Sequence, residues 1–351
     1  MNPATATDTA TATATDTDAQ RNEGSRTLTW PHGQATLQRL GAMLAPVVFR
    51  APGHADFALM QVAPWADEPG SAALPGILQR LRGEWPCVPF GRTDLPRGLP
   101  AGWQTKTPQD AWGHGFGLHH AWQWLPSDDP FSLGLGITYP SGRPVHRLTR
   151  RVHVVPDAPA LRISLQIEVH EPCVLPVALH PTLRLDAGRV ELKVKHTGPG
   201  LSYPVPAEEG LSRLRPDAVF ASLRAVPMAD GDALDLSRYP LRFDTEELLQ
   251  LQGVHAPVEP DYIDQRWTLR LDWDRTLLPD LMLWISHRGR SAAPWNGRHW
   301  ALGVEPVNGP FDLGRVATPP AGHAAARHAG IALHPDVPLT LHYRLQARPN
   351  A

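Results

Sequence analysis

An all-β fold, with many mostly antiparallel strands of ordinary length stacked as a sandwich, is what this sequence predicts, and three observations carry it. Beyond about residue 26 the dominant signal is alternation of apolar and polar residues with period two. Proline and glycine, 38 and 29 of the 351 residues, punctuate the chain too often for long helices. Hydrophobic residues make up 42%, enough to fill a substantial core.

The elements follow in chain order. Met1 to Asp18 alternates Ala, Thr and Asp, a composition too polar to bury, so residues 1–25 read as a disordered low-complexity tail. Residues 26–351 read as one domain, because no Gly/Ser-rich linker and no repeat of fixed period interrupts them. Pro75 to Arg82 has the makings of a helical turn or two. Trp112 to Trp122, with Gly113, Gly115 and Gly117 among four functional rings, reads as a strand edge or a loop. The best strand is Leu161, Ile163, Leu165, Ile167 and Val169 interleaved with Arg162, Ser164, Gln166 and Glu168. The same alternation recurs at Val190 to Lys195, Trp267 to Trp273 and Leu339 to Gln346, with turns at Thr197 to Pro206 and Asp230 to Asp232 between them. Thr245 followed by Glu246 and Glu247 looks like the capped start of a short helix.

Charge and targeting signals exclude several functions. With 33 Lys and Arg against 35 Asp and Glu, the formal charge is -2, which gives no field to gather nucleic acid. Cys87 and Cys173 are too few to staple a chain of this size, so a reducing compartment is expected. The N-terminus has no basic and apolar leader, and no run approaches the roughly 18 apolar residues of a spanning helix. A cytoplasmic protein with no membrane partner is the expectation. No G-x-S-x-G, Walker A or dinucleotide fingerprint is present. His114, His119 and His120 crowd together, but on a regular strand His119 would point away from the other two, so no metal is expected.

Three segments are over-furnished for structure alone. The first is Trp112 to Trp122, with His114; its bland reading is a bulged strand with satisfied histidines. In the second, Pro176 to Leu185, an apolar run is interrupted by His180, whose direction Pro181 restrains. Taken alone, such a histidine is more often a hydrogen-bonded core residue. The third runs from Leu281 to Val307. There Glu305 follows an apolar strand and precedes Pro306, a place where an unpaired carboxylate is costly. Either Arg298 or backbone N–H groups satisfy it, or it does chemistry. Trp284, Trp295 and Trp300 offer flat faces to the C–H face of a sugar, though tryptophans also fill cores.

Taken together these segments resemble the aldose 1-epimerase (galactose mutarotase-like) superfamily. Pro89-Phe-Gly-Arg92 is similar to its early Gly-Arg element, His114-Gly115 with Trp122-Gln123 to its His-Gly and Pro-Trp-Gln element, with Ala121 where a Pro is common. His180-Pro-Thr-Leu resembles the strand of the second histidine, and Leu302-Gly-Val-Glu-Pro the strand of the glutamate. The resemblance implies a supersandwich of large antiparallel sheets and a cofactor-independent interconversion of the α- and β-anomers of an aldose. It makes Glu305 the base, His180 the acid and His114 a polarising partner. Arg92 would bind the substrate, as would Asp244, the candidate for the family's substrate-binding aspartate. Because an arginine fork also suits phosphate, and Arg288, Arg290 and Arg298 lie nearby in sequence, the partner is a monosaccharide or a sugar phosphate. The rival is a carbohydrate-binding module that turns nothing over. A glycoside hydrolase would need a second carboxylate, for which Asp312 and Asp264 are available.

Overall fold

The computed structural model describes residues 24–350; the expected disordered tail lies outside them except for its last two residues, and Ser25 already begins a strand. The regular structure is almost entirely antiparallel sheet. A nine-stranded sheet runs in the order Arg238–Tyr239, Val190–Lys193, Glu259–Tyr262, Trp267–Trp273, Leu339–Pro349, Ala160–Val169, Val145–Val154, Ser132–Thr138 and Gln123–Leu125. An eight-stranded sheet is built around Thr245–Leu251, Asp280–His287, Trp300–Asn308 and Val177–Leu179, with Thr182–Arg184 also pairing the third of these. A four-stranded sheet, from Ser25–Trp30 to Phe57–Ala58, completes the large layers. The alternating segments at 160–169, 267–273 and 339–349 are therefore strands, as their pattern requires, and they lie side by side in the nine-stranded sheet.

Packing explains why the eight-stranded sheet departs from simple alternation. Asp280–His287 is buried at every position, and Trp300–Asn308 at all but its ends. One face, with Leu281, Leu283, Ile285, Leu302 and Val304, joins the core shared with the other sheets. Met282, Val307 and Ala178 face the other way, into a second cluster with Trp65, Trp85, Phe90 and Phe311 under the loops. A strand covered on both sides reads as an apolar run, so a polar residue on it stands out.

One expectation fails here. Thr245–Leu251 is a strand, not a capped helix: it pairs residue for residue with Leu281–His287, and its Glu246 and Glu247 are buried rather than solvated in a first turn. Pairing and burial override the local capping signal. Trp112 to Trp122 is a loop enclosing one helical turn, Phe116–His119. Pro75 to Arg82 does form a short helical piece, Gly76–Gln79.

A buried polar cluster ties the layers together beneath the site. Arg150 pairs with Glu84, whose other oxygen accepts a hydrogen bond from Tyr343 Oη at 2.7 Å. Removing one member of such a pair typically costs about 3–5 kcal/mol. Glu84 precedes Trp85, and so anchors the segment on which the site's histidine stacks.

Candidate active site

The second face of the eight-stranded sheet lines the candidate site. Period two puts Gly303, Glu305 and Val307 on that face, opposite Trp284 and Met282 of the neighbouring strand. On the other side, the residue paired with Gly303 is Thr182. His180 occupies the break that Pro181 makes between Val177–Leu179 and Thr182–Arg184, and its N–H donates to Trp85 O at 2.9 Å. Its imidazole stacks on Trp85, with centroids 4.3 Å apart, and its Nδ1 lies 3.2 Å from Thr182 Oγ1. This leaves Nε2 facing Glu305 Oε1 at 3.2 Å.

That contact is close but poorly directed, so Glu305 Oε1 is buried without a hydrogen-bond partner. Neither of the sequence's structural explanations satisfies it, since Arg298 turns away to Glu68 at 2.6 Å. Burial, and then the nearby Asp312 carboxylate, push the Glu305 pKa well above the ordinary glutamate range. Burial, followed by the neighbouring His114, pushes His180 well below the ordinary histidine range. A buried carboxylate without a protein donor, beside an imidazole, is a candidate functional pair.

His114 arrives from the loop. Its backbone has φ 59°, and its N–H donates to Gly91 O at 2.8 Å. Gly115 makes the close approach possible, because a Cβ there would lie 2.1 Å from Val88 O. Arg315 pins the loop by pairing with Asp110 at 2.7 Å and donating to Trp112 O at 2.5 Å. The imidazole stands perpendicular to that of His180, with centroids 5.8 Å apart, and its Nδ1 has no partner. Its pKa is lowered to about 3, by burial first and then by Arg315, His119 and Arg92.

These three groups line a cavity of about 190 Å³ walled by Trp85, Trp284 and Trp295. Arg290 and Asp312 also face it. Asp312 Oδ1 accepts from Tyr203 Oη at 2.7 Å, and its loop is held where Gln250 Oε1 accepts Phe311 N–H at 2.7 Å. Arg290 Nε meets Glu246 Oε1 at 2.9 Å, while its guanidinium lies over Trp284 and Trp295, 5.4 and 4.6 Å from the ring centroids. A larger concavity of about 800 Å³ near Lys193 and Arg224 lies elsewhere. Its two glutamates are engaged by arginines, Glu191 by Arg238 and Glu259 by Arg270.

Glu305, His180, His114, Trp284 and Trp295 are thus brought together. Arg92 and Asp244 are not. Arg92 is bound to Asp94 and reaches Tyr203 Oη at 3.4 Å, one residue behind Asp312. Asp244 is exposed and paired with Arg288, because the strand that replaces the expected helix carries it to the sheet's outer end. His119 and His120 are satisfied by backbone carbonyls, each at 2.8 Å. Asp264 pairs with Arg189 at the surface. Sequence reasoning passed over Asp312 and Trp85 as site residues. Only Phe311-Asp312 after Gly309-Pro310, a turn following the glutamate strand, hinted at the first.

The whole-chain likeness agrees with this architecture. The aldose epimerase homologue of C. elegans superposes with a TM-score of 0.60 at 14% identity, over 93% of this chain and 99% of that one. This chain has the galactose mutarotase-like fold. A galactose mutarotase-like protein from Lactobacillus casei ATCC 334 gives 0.56 at 13% identity, over 93% and 100% of the two chains. A galactose mutarotase related enzyme from Lactobacillus acidophilus gives 0.55 at 13%, over 93% and 98%. No protein-family model matches the sequence, and no curated protein is significantly similar to it. The likeness extends over the supersandwich as a whole, and no helix among the described residues is long and apolar enough to cross a membrane.

Proposed function

We propose that this chain is an aldose 1-epimerase, interconverting α- and β-anomers by opening and reclosing the sugar ring. The observation that carries the proposal is the unpartnered Glu305 Oε1, 3.2 Å from His180 Nε2 in a cavity walled by tryptophans. Glu305 takes the proton of the anomeric O1 hydroxyl while His180 gives one to the ring oxygen, and the C1–O5 bond breaks to leave the open-chain aldehyde. Rotation about C1–C2 and reclosure with the proton transfers reversed invert the anomeric centre. The protons balance, since one leaves O1, one reaches O5, and the pair is restored on closure. Neutral His114 donates a hydrogen bond to the sugar, and Asp312 accepts one. Trp85, Trp284 and Trp295 give the sugar ring apolar walls.

The test is anomer exchange followed by polarimetry and saturation-transfer NMR over a panel of aldoses. Each positioned proton-transfer group contributes about 10²–10⁴-fold. Glu305→Gln and His180→Asn are therefore each expected to slow exchange by that factor while sugar binding persists. A wild-type protein that binds a sugar without accelerating its exchange is a binding module instead. If Glu305→Gln retains full activity, another group is the base.

A further inference from the structure

We propose that Glu246 sets the charge selectivity of this pocket: by neutralising Arg290 it makes the site one for an uncharged sugar and turns sugar phosphates away. The inference rests on the epimerase reading only in taking the ligand to be a sugar.

Arg290 is the one Lys or Arg side chain lining the cavity among the described residues. Its charge is already spoken for. Glu246 is fully buried on the same sheet face as Glu305, two strands along, and its Oε1 accepts from Trp284 Nε1 at 2.5 Å and meets Arg290 Nε at 2.9 Å. Two N–H donors converging on one oxygen suit a carboxylate. The guanidinium is also held over Trp284 and Trp295, so it is fixed beside its partner rather than free to fold onto a ligand. Glu246 Oε2 has no partner, so no other cation shares the carboxylate.

The other arginines that the sequence offers to a phosphate are likewise engaged. Arg92 pairs with Asp94, Arg288 with Asp244, and Arg298 with Glu68. A phosphate entering the cavity would find no unpaired cation and would face the carboxyl groups of Glu305 and Asp312. Hydroxyl groups meet no such penalty, because they donate to the carboxyls and accept from the histidines.

The measurement is the ratio of dissociation constants for glucose and galactose against their 6-phosphates, by ligand-observed NMR titration of the full chain. Wild type is expected to bind the parent sugar at least tenfold more tightly than its phosphate. Glu246→Gln frees the guanidinium and moves that ratio towards the phosphate by about tenfold or more, the worth of one charge-assisted hydrogen bond. Adding Arg290→Met to that variant returns the ratio. Glu246→Met serves the same purpose if Glu246→Gln does not fold, and the wild-type ratio needs no variant. Phosphates bound as tightly as the parent sugars by wild type, or an unchanged ratio in a folded Glu246 variant, overturn the proposal. Binding without anomer exchange defeats the epimerase reading and leaves this one standing, whereas exchange that favours phosphates does the reverse.

Discussion

On the epimerase reading, replacing Gly303 with alanine separates the placing of the base from its chemistry. Gly303 sits two residues before Glu305 on the same face of the strand, paired across to Trp284 and Thr182. A Cβ built there lies 2.5 Å from Glu305 Oε1 and 3.0 Å from Trp284 Cβ. The carboxylate tip is the atom free to yield, and ordinary contact requires it to retreat by about 0.9 Å, from 2.5 to 3.4 Å. Misplacement of a reacting group by 1 Å costs on the order of 10²-fold, or about 2.7 kcal/mol of barrier. Stability changes little: alanine restricts the unfolded chain by about 0.4–1 kcal/mol, and the tight Trp284 contact offsets part of that. Gly303→Ala is therefore expected to slow anomer exchange about 100-fold, with a thermal midpoint within about 3 °C of wild type. Exchange within threefold of wild type would refute the reasoning, because Glu305 would then not need the space that Gly303 leaves.

The electrostatics give two further tests. After burial, the Asp312 charge is what holds the Glu305 pKa up; Asp312→Asn should shift the acidic limb of kcat/KM to lower pH while raising KM, and a limb that stays put would show the two carboxyls to be uncoupled. His114, lowered to about 3 from 6.5, stays neutral in the folded chain while the unfolded chain binds a proton below about pH 6.5. The stability from its burial is thus complete above that pH and is lost as the pH falls towards 3, by about 1.4 kcal/mol per unit at most. Urea melts between pH 7 and 5 should show a shallower slope for His114→Asn; an identical slope would mean that His114 titrates alike in both states.

Glu305 and His180 stood out in the sequence because each interrupts an apolar run, Glu305 within a strand covered on both faces and His180 at the Pro181 break between two short strands. Asp244 was misplaced for a local reason. Thr245-Glu246-Glu247 carries a helix-start signature, and Asp244 just before it was the candidate for the family's substrate-binding aspartate. What overrules it is pairing with Leu281–His287, some forty residues further on, which no local pattern encodes. Asp312 was weighed only as a second carboxylate, since its place depends on Tyr203 and Gln250, each more than sixty residues away. The choice of Arg290 from four candidate arginines turns on which carboxylate each one meets in space, and residue type alone is silent about that.

Burial acts on the two central groups in opposite senses, and this says something about when the site becomes competent. Raising Glu305 and lowering His180 both disfavour charge, so burial by itself favours a protonated carboxyl beside a neutral imidazole. Among the described residues Glu305 Oε1 has no hydrogen-bond donor. A sugar hydroxyl at that oxygen supplies one, and hydrogen bonding to the ionised form lowers a carboxyl's pKa. On the epimerase reading the substrate therefore completes its own base: the hydroxyl that donates to Glu305 is also the one that loses its proton. A ligand without a hydroxyl at that point leaves the carboxyl protonated, and the pocket then holds it without reaction.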